Sequence, residues 1–211
     1  MIDLDIWKKD CFKLFISHLA KNKAEANELK INLNQYGISS FVAHTDIEPS
    51  HEWQNTIEYA LNTCDALIAM MTKSFKDSRW VDQEIGYVYG QDKLIIPIRM
   101  GTDPYGFIGK FQAISYKEIE LIGPAVFKIL NKNSKTCKEI ASSIMSKFEN
   151  SDTFAEAKKN LKLVEQINYW DETLIKRLRT SKDKNSQISG SFGVVENIDY
   201  IVKNRKIEVS A

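Results

Sequence analysis

Several things are scarce in this chain, and each scarcity removes a class of protein. Cysteine occurs only as Cys11, Cys64 and Cys137. The number is odd and no CxxC pair exists, so neither a disulfide framework nor a cysteine zinc site is expected, and a reducing cytoplasm fits best. The longest uninterrupted apolar stretch is Ala66 to Met71, far short of the roughly 20 residues that span a bilayer. The opening MIDLDIWKKD has neither the basic start nor the apolar run of a signal peptide. The expectation is therefore a cytoplasmic protein without a membrane span. Charge of one sign is also lacking: the net is +1, against the large cationic excess of domains that bind nucleic acid through a basic face. His18, His44 and His51 are the only histidines. All three fall in loops, dispersed as solvated residues usually are, and no metal site is expected.

What remains is a globular chain of 211 residues, 43% hydrophobic and 27% charged, long enough for one main domain and an appendage. Residues 1 to 110 carry 12 basic and 15 acidic side chains and residues 111 to 211 carry 17 and 13, a contrast that supports two regions. The run Cys11 to Ser17 is too continuously apolar to have one face in water and reads as a buried parallel strand. Helical spacing follows at Ala26, Leu29, Leu33 and Tyr36, ended by Gly37 as a left-handed cap. The alternation continues with a strand at Ile38 to Ala43, a polar loop, a helix marked by Trp53, Ile57, Ala60 and Leu61, and a strand at Asp65 to Met71. A helix from Arg79 to Tyr89, a strand at Lys93 to Ile98 and a short edge strand in FQAISY complete the series. Pro97 would interrupt a ladder and is expected at its strand's end. The order implies right-handed crossovers and an α/β fold: a flavodoxin-like parallel sheet of about five strands flanked by helices.

Beyond about residue 122 helical signals dominate and form a C-terminal helical extension. Cys137, Ile140, Ala141, Ile144 and Phe148 make one stripe; Phe154, Leu161, Val164 and Ile167 make another, behind an Asp152 cap. Lys182 to Gly193 reads as a polar hinge before a last helix around Val194 to Lys203. The expected division is residues 10–120 for the α/β domain and 121–211 for the extension.

Familiar phosphate and nucleophile signatures are missing. There is no GxGxxG, no GxxxxGK[ST] and no GxSxG. A phospho-receiver would need aspartates where the first and third strands end, and here those ends read Ser17-His18 and Met71-Thr72. The remaining candidates sit at strand ends and helix starts. Trp80 and Glu84 in RWVDQE are four apart, which stacks indole and carboxylate on one helix face. By itself that spacing equally describes an ordinary surface glutamate beside a core tryptophan, and Trp53 equally a core anchor.

In combination these segments resemble the Toll/interleukin-1 receptor (TIR) domain over about residues 10 to 118. FKLFISH is similar to the family's first box, FVAHTDIEPSHEWQNTIEYAL to the loop and helix after its second strand, WVDQE to the WxxxE of its enzymatic members, and LIIPIRMGTDPYGFIGKF to the fourth strand and following loop of bacterial members. Pro49-Ser50 stands where a glycine is common in that first loop. The resemblance implies an NAD⁺ nucleosidase or cyclase with Glu84 as catalytic residue. It implies NAD⁺-binding positions at Ser17, His18, His44, Asp46, Trp53 and Trp80, with NAD⁺ as substrate and no cofactor. It implies self-association through TIR–TIR contacts and, by likeness to Thoeris antiphage proteins, a diffusible nucleotide product read by a separate effector. The alternatives are a non-catalytic TIR adaptor and a nucleoside deoxyribosyltransferase-like enzyme, a related architecture that also uses a glutamate.

Overall fold

The computed structural model describes residues 5–42 and 53–205. The chain divides into two compact units, Met1–Ile129 and Leu130–Ala211.

The first unit is built on five parallel strands: β1 (Phe12–Ser17), β2 (Ile38–Phe41), β3 (Ala66–Thr72), β4 (Leu94–Met100) and β5 (Ile114–Ser115), in the order β2-β1-β3-β4-β5. This is the flavodoxin-like order expected from the alternation of elements. Each central strand reads as a continuous apolar run because both its faces are covered, and all seven residues of β3 are buried. On one face Phe15, Phe41, Leu67, Ala69, Met71 and Ile95 form a core with α2 (Trp53–Thr63) and α3 (Arg79–Gly90). The alternate residues Leu14, Ile16, Ile68 and Met70 are buried too. Helix α1 (Lys23–Asn34) buries Ala26, Leu29 and Leu33, and Gly37 takes the left-handed conformation that turns the chain into β2 (φ 72°). Trp7, ahead of β1, packs on Phe41 and donates its indole N–H to Thr63 Oγ1. Burial pushes the Cys64 thiol up to about 11, so it stays protonated in the core.

Pro97 departs from expectation. It lies fourth of seven residues in β4, paired in register with Ala69 of β3, and not at the strand's end. It is tolerated there because β5 is only two residues long and pairs from Ile98 onward, leaving the other side of β4 open at Pro97. FQAISY accordingly contributes just Ile114 and Ser115 to the sheet.

The division between units falls within α4 (Ile122–Lys132). The second unit is helical: α5 (Cys137–Glu149), α6 (Phe154–Val164), α7 (Glu172–Lys184), the short α8 (Ser186–Ser189) and α9 (Val194–Asn204). Ile140, Ala141, Ile144 and Phe148 of α5 are buried as their spacing implies. In α6 the capping residue is Thr153 and not Asp152: Thr153 accepts from Glu156 N–H, while Asp152 only donates its backbone N–H to the Glu156 carboxylate. Phe154 is half exposed and Ile167 lies past the helix, so the buried stripe is Ala157, Leu161 and Val164. The expected hinge at Lys182 to Gly193 is instead the last turn of α7 followed by α8, whose Ile188 is fully buried. Asn185 fixes that junction by donating to the carbonyls of Glu149 and Ser151. Within the described residues no helix is long and apolar enough to cross a membrane.

Candidate functional site

Helix α3 places the central carboxylate. Its apolar residues Val81, Ile85 and Val88 face the core at i, i+4 and i+7, and Glu84 stands among them at i+3 from Val81. A glutamate in that phase is carried into the core, and Glu84 is only 4% exposed. It is therefore no ordinary surface glutamate. Strand β1 supplies the partner: Ser17, its last residue, is fully buried, and its hydroxyl donates to Glu84 Oε2 at 2.5 Å. The Trp80 side chain, one turn earlier on α3, also donates to the carboxyl. The sequence-derived trio Ser17, Trp80 and Glu84 is thus brought together at the carboxyl end of β1, beside β3, where Ser17 pairs with Ala69. In a doubly wound sheet this is the point where the strand order reverses and where ligands bind.

Two effects oppose each other at Glu84. Burial disfavours the charged form and pushes the carboxyl up to about 7; the bonds from Ser17 and Trp80 favour the carboxylate and hold it below what burial alone would give. The result is a carboxyl that changes charge near neutral pH, a perturbation of the kind that clusters at functional sites.

His18 follows Ser17 and is 6% exposed, with Nδ1 3.1 Å from the Ile16 carbonyl. The solvated loop histidine expected at this position is instead a buried ring beside the site. Trp53 opens α2, as its spacing implies. His44 and Asp46 lie outside the described residues, as does the rest of the chain to Glu52. Among the described residues no group of three or more His, Cys, Asp or Glu side chains could hold a metal.

One neighbour carries no signal in the sequence. Tyr105, in the segment after β4, donates its hydroxyl to Asp82 Oδ1 at 2.6 Å, two residues from Glu84 on α3. Its ring packs on the core with that of Trp80. Burial, then the Asp82 bond and charge, push the Tyr105 phenol above its ordinary value. No local pattern signals this pairing, because the partners are 23 residues apart and one lies in a segment without periodicity.

Residues 14–121 match the family model described as TIR domain. Among solved structures, the TIR domain of a Toll-related receptor from the lower metazoan Hydra magnipapillata is similar: 22% identity, covering 56% of this chain and 94% of that one, with a TM-score of 0.45. No curated protein matches the chain.

Proposed function

The chain belongs to the TIR-domain family, and from that premise we propose that it is an NAD⁺ nucleosidase or cyclase, with Glu84 as its catalytic residue. One observation carries the reading. A carboxyl buried to 4% exposure at the sheet's reversal point, gripped by Ser17 and Trp80, is an expensive arrangement for stability and a useful one for stabilising positive charge.

The chemistry asks for little else. Nicotinamide in NAD⁺ is already a cationic leaving group. When the C1′–N bond breaks, its electron pair neutralises the ring and no general acid is required. Positive charge develops on the ribosyl carbon and ring oxygen, and an ionised Glu84 in a low-dielectric setting stabilises it. Water attacking C1′ and releasing a proton gives ADP-ribose; an internal nucleophile gives a cyclic isomer. Ser17, His18, His44, Asp46, Trp53 and Trp80 are assigned to binding NAD⁺. In this reading the protein acts in the cytoplasm in antiphage immunity of the Thoeris kind, and its nucleotide product signals to a separate effector.

The experiment is incubation of the purified protein with NAD⁺ and mass spectrometry of the products, beside Glu84→Gln. Nicotinamide release by the wild type, reduced on the order of 10² or more in the variant, is the expected result. Equal release by both proteins sinks the assignment of Glu84. No release from NAD⁺ leaves a non-catalytic adaptor, unless deoxynucleosides are cleaved instead, which identifies a deoxyribosyltransferase-like enzyme.

A further inference from the structure

The segment from Gly101 to Phe111 is not a slack connection. Gly101 turns sharply back at the end of β4, with φ 128° and a bridge to Thr72. Thr102 then roots the segment by donating its N–H to the Met71 carbonyl and its hydroxyl to the Lys73 carbonyl. Ile108 is buried in the core at 1% exposure. Between and beyond these anchors the segment grips α3 twice. Tyr105 donates to Asp82, and Phe107 stacks face to face on Tyr89, with ring centroids 5.0 Å apart and an interplanar angle of 8°. Lys110 adds a bond to the Tyr89 hydroxyl. Asp82 and Tyr89 are seven residues apart, two turns or about 10 Å of helix, and so lie on one face.

That face is the far side of the helix from the catalytic carboxyl. At about 100° per residue, Asp82 and Tyr89 stand about 160° and 140° round the axis from Glu84. The helix is therefore engaged by Ser17, which bonds Glu84, and along a different flank by residues 101–111. A shift of the helix that moves its carboxyl relative to β1 also disturbs the contacts with residues 101–111.

We propose that residues 101–111 act as a strap on α3, and that Tyr105, through its bond to Asp82, is a positioning residue that holds Glu84 at its working distance from Ser17 and from a substrate at the end of β1. The role in turnover rests on the reading of Glu84 as the catalytic residue of an NAD⁺-cleaving enzyme; the mechanical role does not. Both partners are partly or fully solvent-accessible, so removing the bond leaves no buried charge and should leave the fold intact.

The test uses Tyr105→Phe, Asp82→Ala and the double variant of the whole chain. Each single variant is expected to lower kcat for NAD⁺ about tenfold, the scale of one hydrogen bond to a charged group, with KM within about twofold. The double variant should be no worse than either single, because both remove one bond. Retained kcat, or losses that multiply, overturns the proposal. A second readout needs no turnover: the Glu84 carboxyl carbon titrated by NMR in wild type and Tyr105→Phe. The midpoint near 7 should move in the variant, downward as a loosened helix admits water or upward as the bond from Ser17 is lost. A midpoint that does not move overturns the strap; a midpoint that moves in a protein that leaves NAD⁺ intact upholds the strap and rejects the reading of function.

Discussion

The behaviour of Glu84 follows from which of its opposed influences is removed. Its carboxyl titrates at about 7, so if the carboxylate is the active form, kcat/KM should rise about tenfold per pH unit below that value and level off above it. Ser17→Ala deletes a bond that lowers this value, and the midpoint should therefore move to higher pH, by about one pH unit; a profile that stays in place would mean Ser17 does not stabilise the charged form. Stability has the opposite pH sense. A carboxyl whose folded value exceeds its unfolded one favours folding as the neutral acid. Its contribution is fully present below about 4.5 and is lost as pH rises to about 7. Urea unfolding at pH 5 and pH 8 should show Glu84→Gln removing up to about 3 kcal/mol of that pH dependence, leaving the variant more stable than wild type at pH 8. Equal pH dependence in the two proteins would contradict a raised value. The residue's candidacy was legible in WVDQE, but its depth was not taken from the motif. The information lay in the neighbours, since Val81, Ile85 and Val88 define a buried phase that includes position 84.

Among elements, the sheet was legible because its strands are short apolar runs between helices with a clear stripe. Elements went unread where apolar content is thin. Helix α7 reads ETLIKRLRTSKDK and buries only Leu174, Ile175, Leu178 and Ser181, and its firmest local sign is Asp171, whose side chain caps the first turn through Leu174 N–H. The same polar stretch, with Ser, Asn and Gly beyond it, passes for a hinge, although Asn185 and Ile188 tie it down. Pro97 was misplaced because a sequence does not state how long its neighbouring strand will be. The cap of α6 gives a direct test of such detail. Thr153→Ala should cost about 1 kcal/mol by urea titration, whereas Asp152→Ala should change stability by no more than a few tenths, since only its backbone N–H is engaged. A larger loss at Asp152 would restore it as the cap.

At the scale of the whole molecule, TIR domains generally act through contacts with one another, and the sequence from His44 to Glu52 carries Asp46, Glu48, Glu52 and two histidines around Pro49, a composition that makes this stretch the one to test for such contacts. If assembly completes the NAD⁺ site, specific activity should climb with enzyme concentration, and a charge reversal at Glu48, which is not assigned to NAD⁺, should flatten the climb without altering the thermal midpoint. Activity strictly proportional to concentration over a range where light scattering reports only monomer would leave this stretch acting within one chain. The bond between Ser17 and Glu84 bears on a different moment in the protein's life. It spans 67 residues of chain, and β1 gains its neighbour β3 only after Ala66 exists. At bacterial and eukaryotic synthesis rates of about 5 to 20 residues per second, Glu84 follows Ser17 by roughly 3 to 13 s. A nascent chain cannot assemble this carboxylate centre before then, so any activity that needs the Ser17–Glu84 pair is delayed by the same interval.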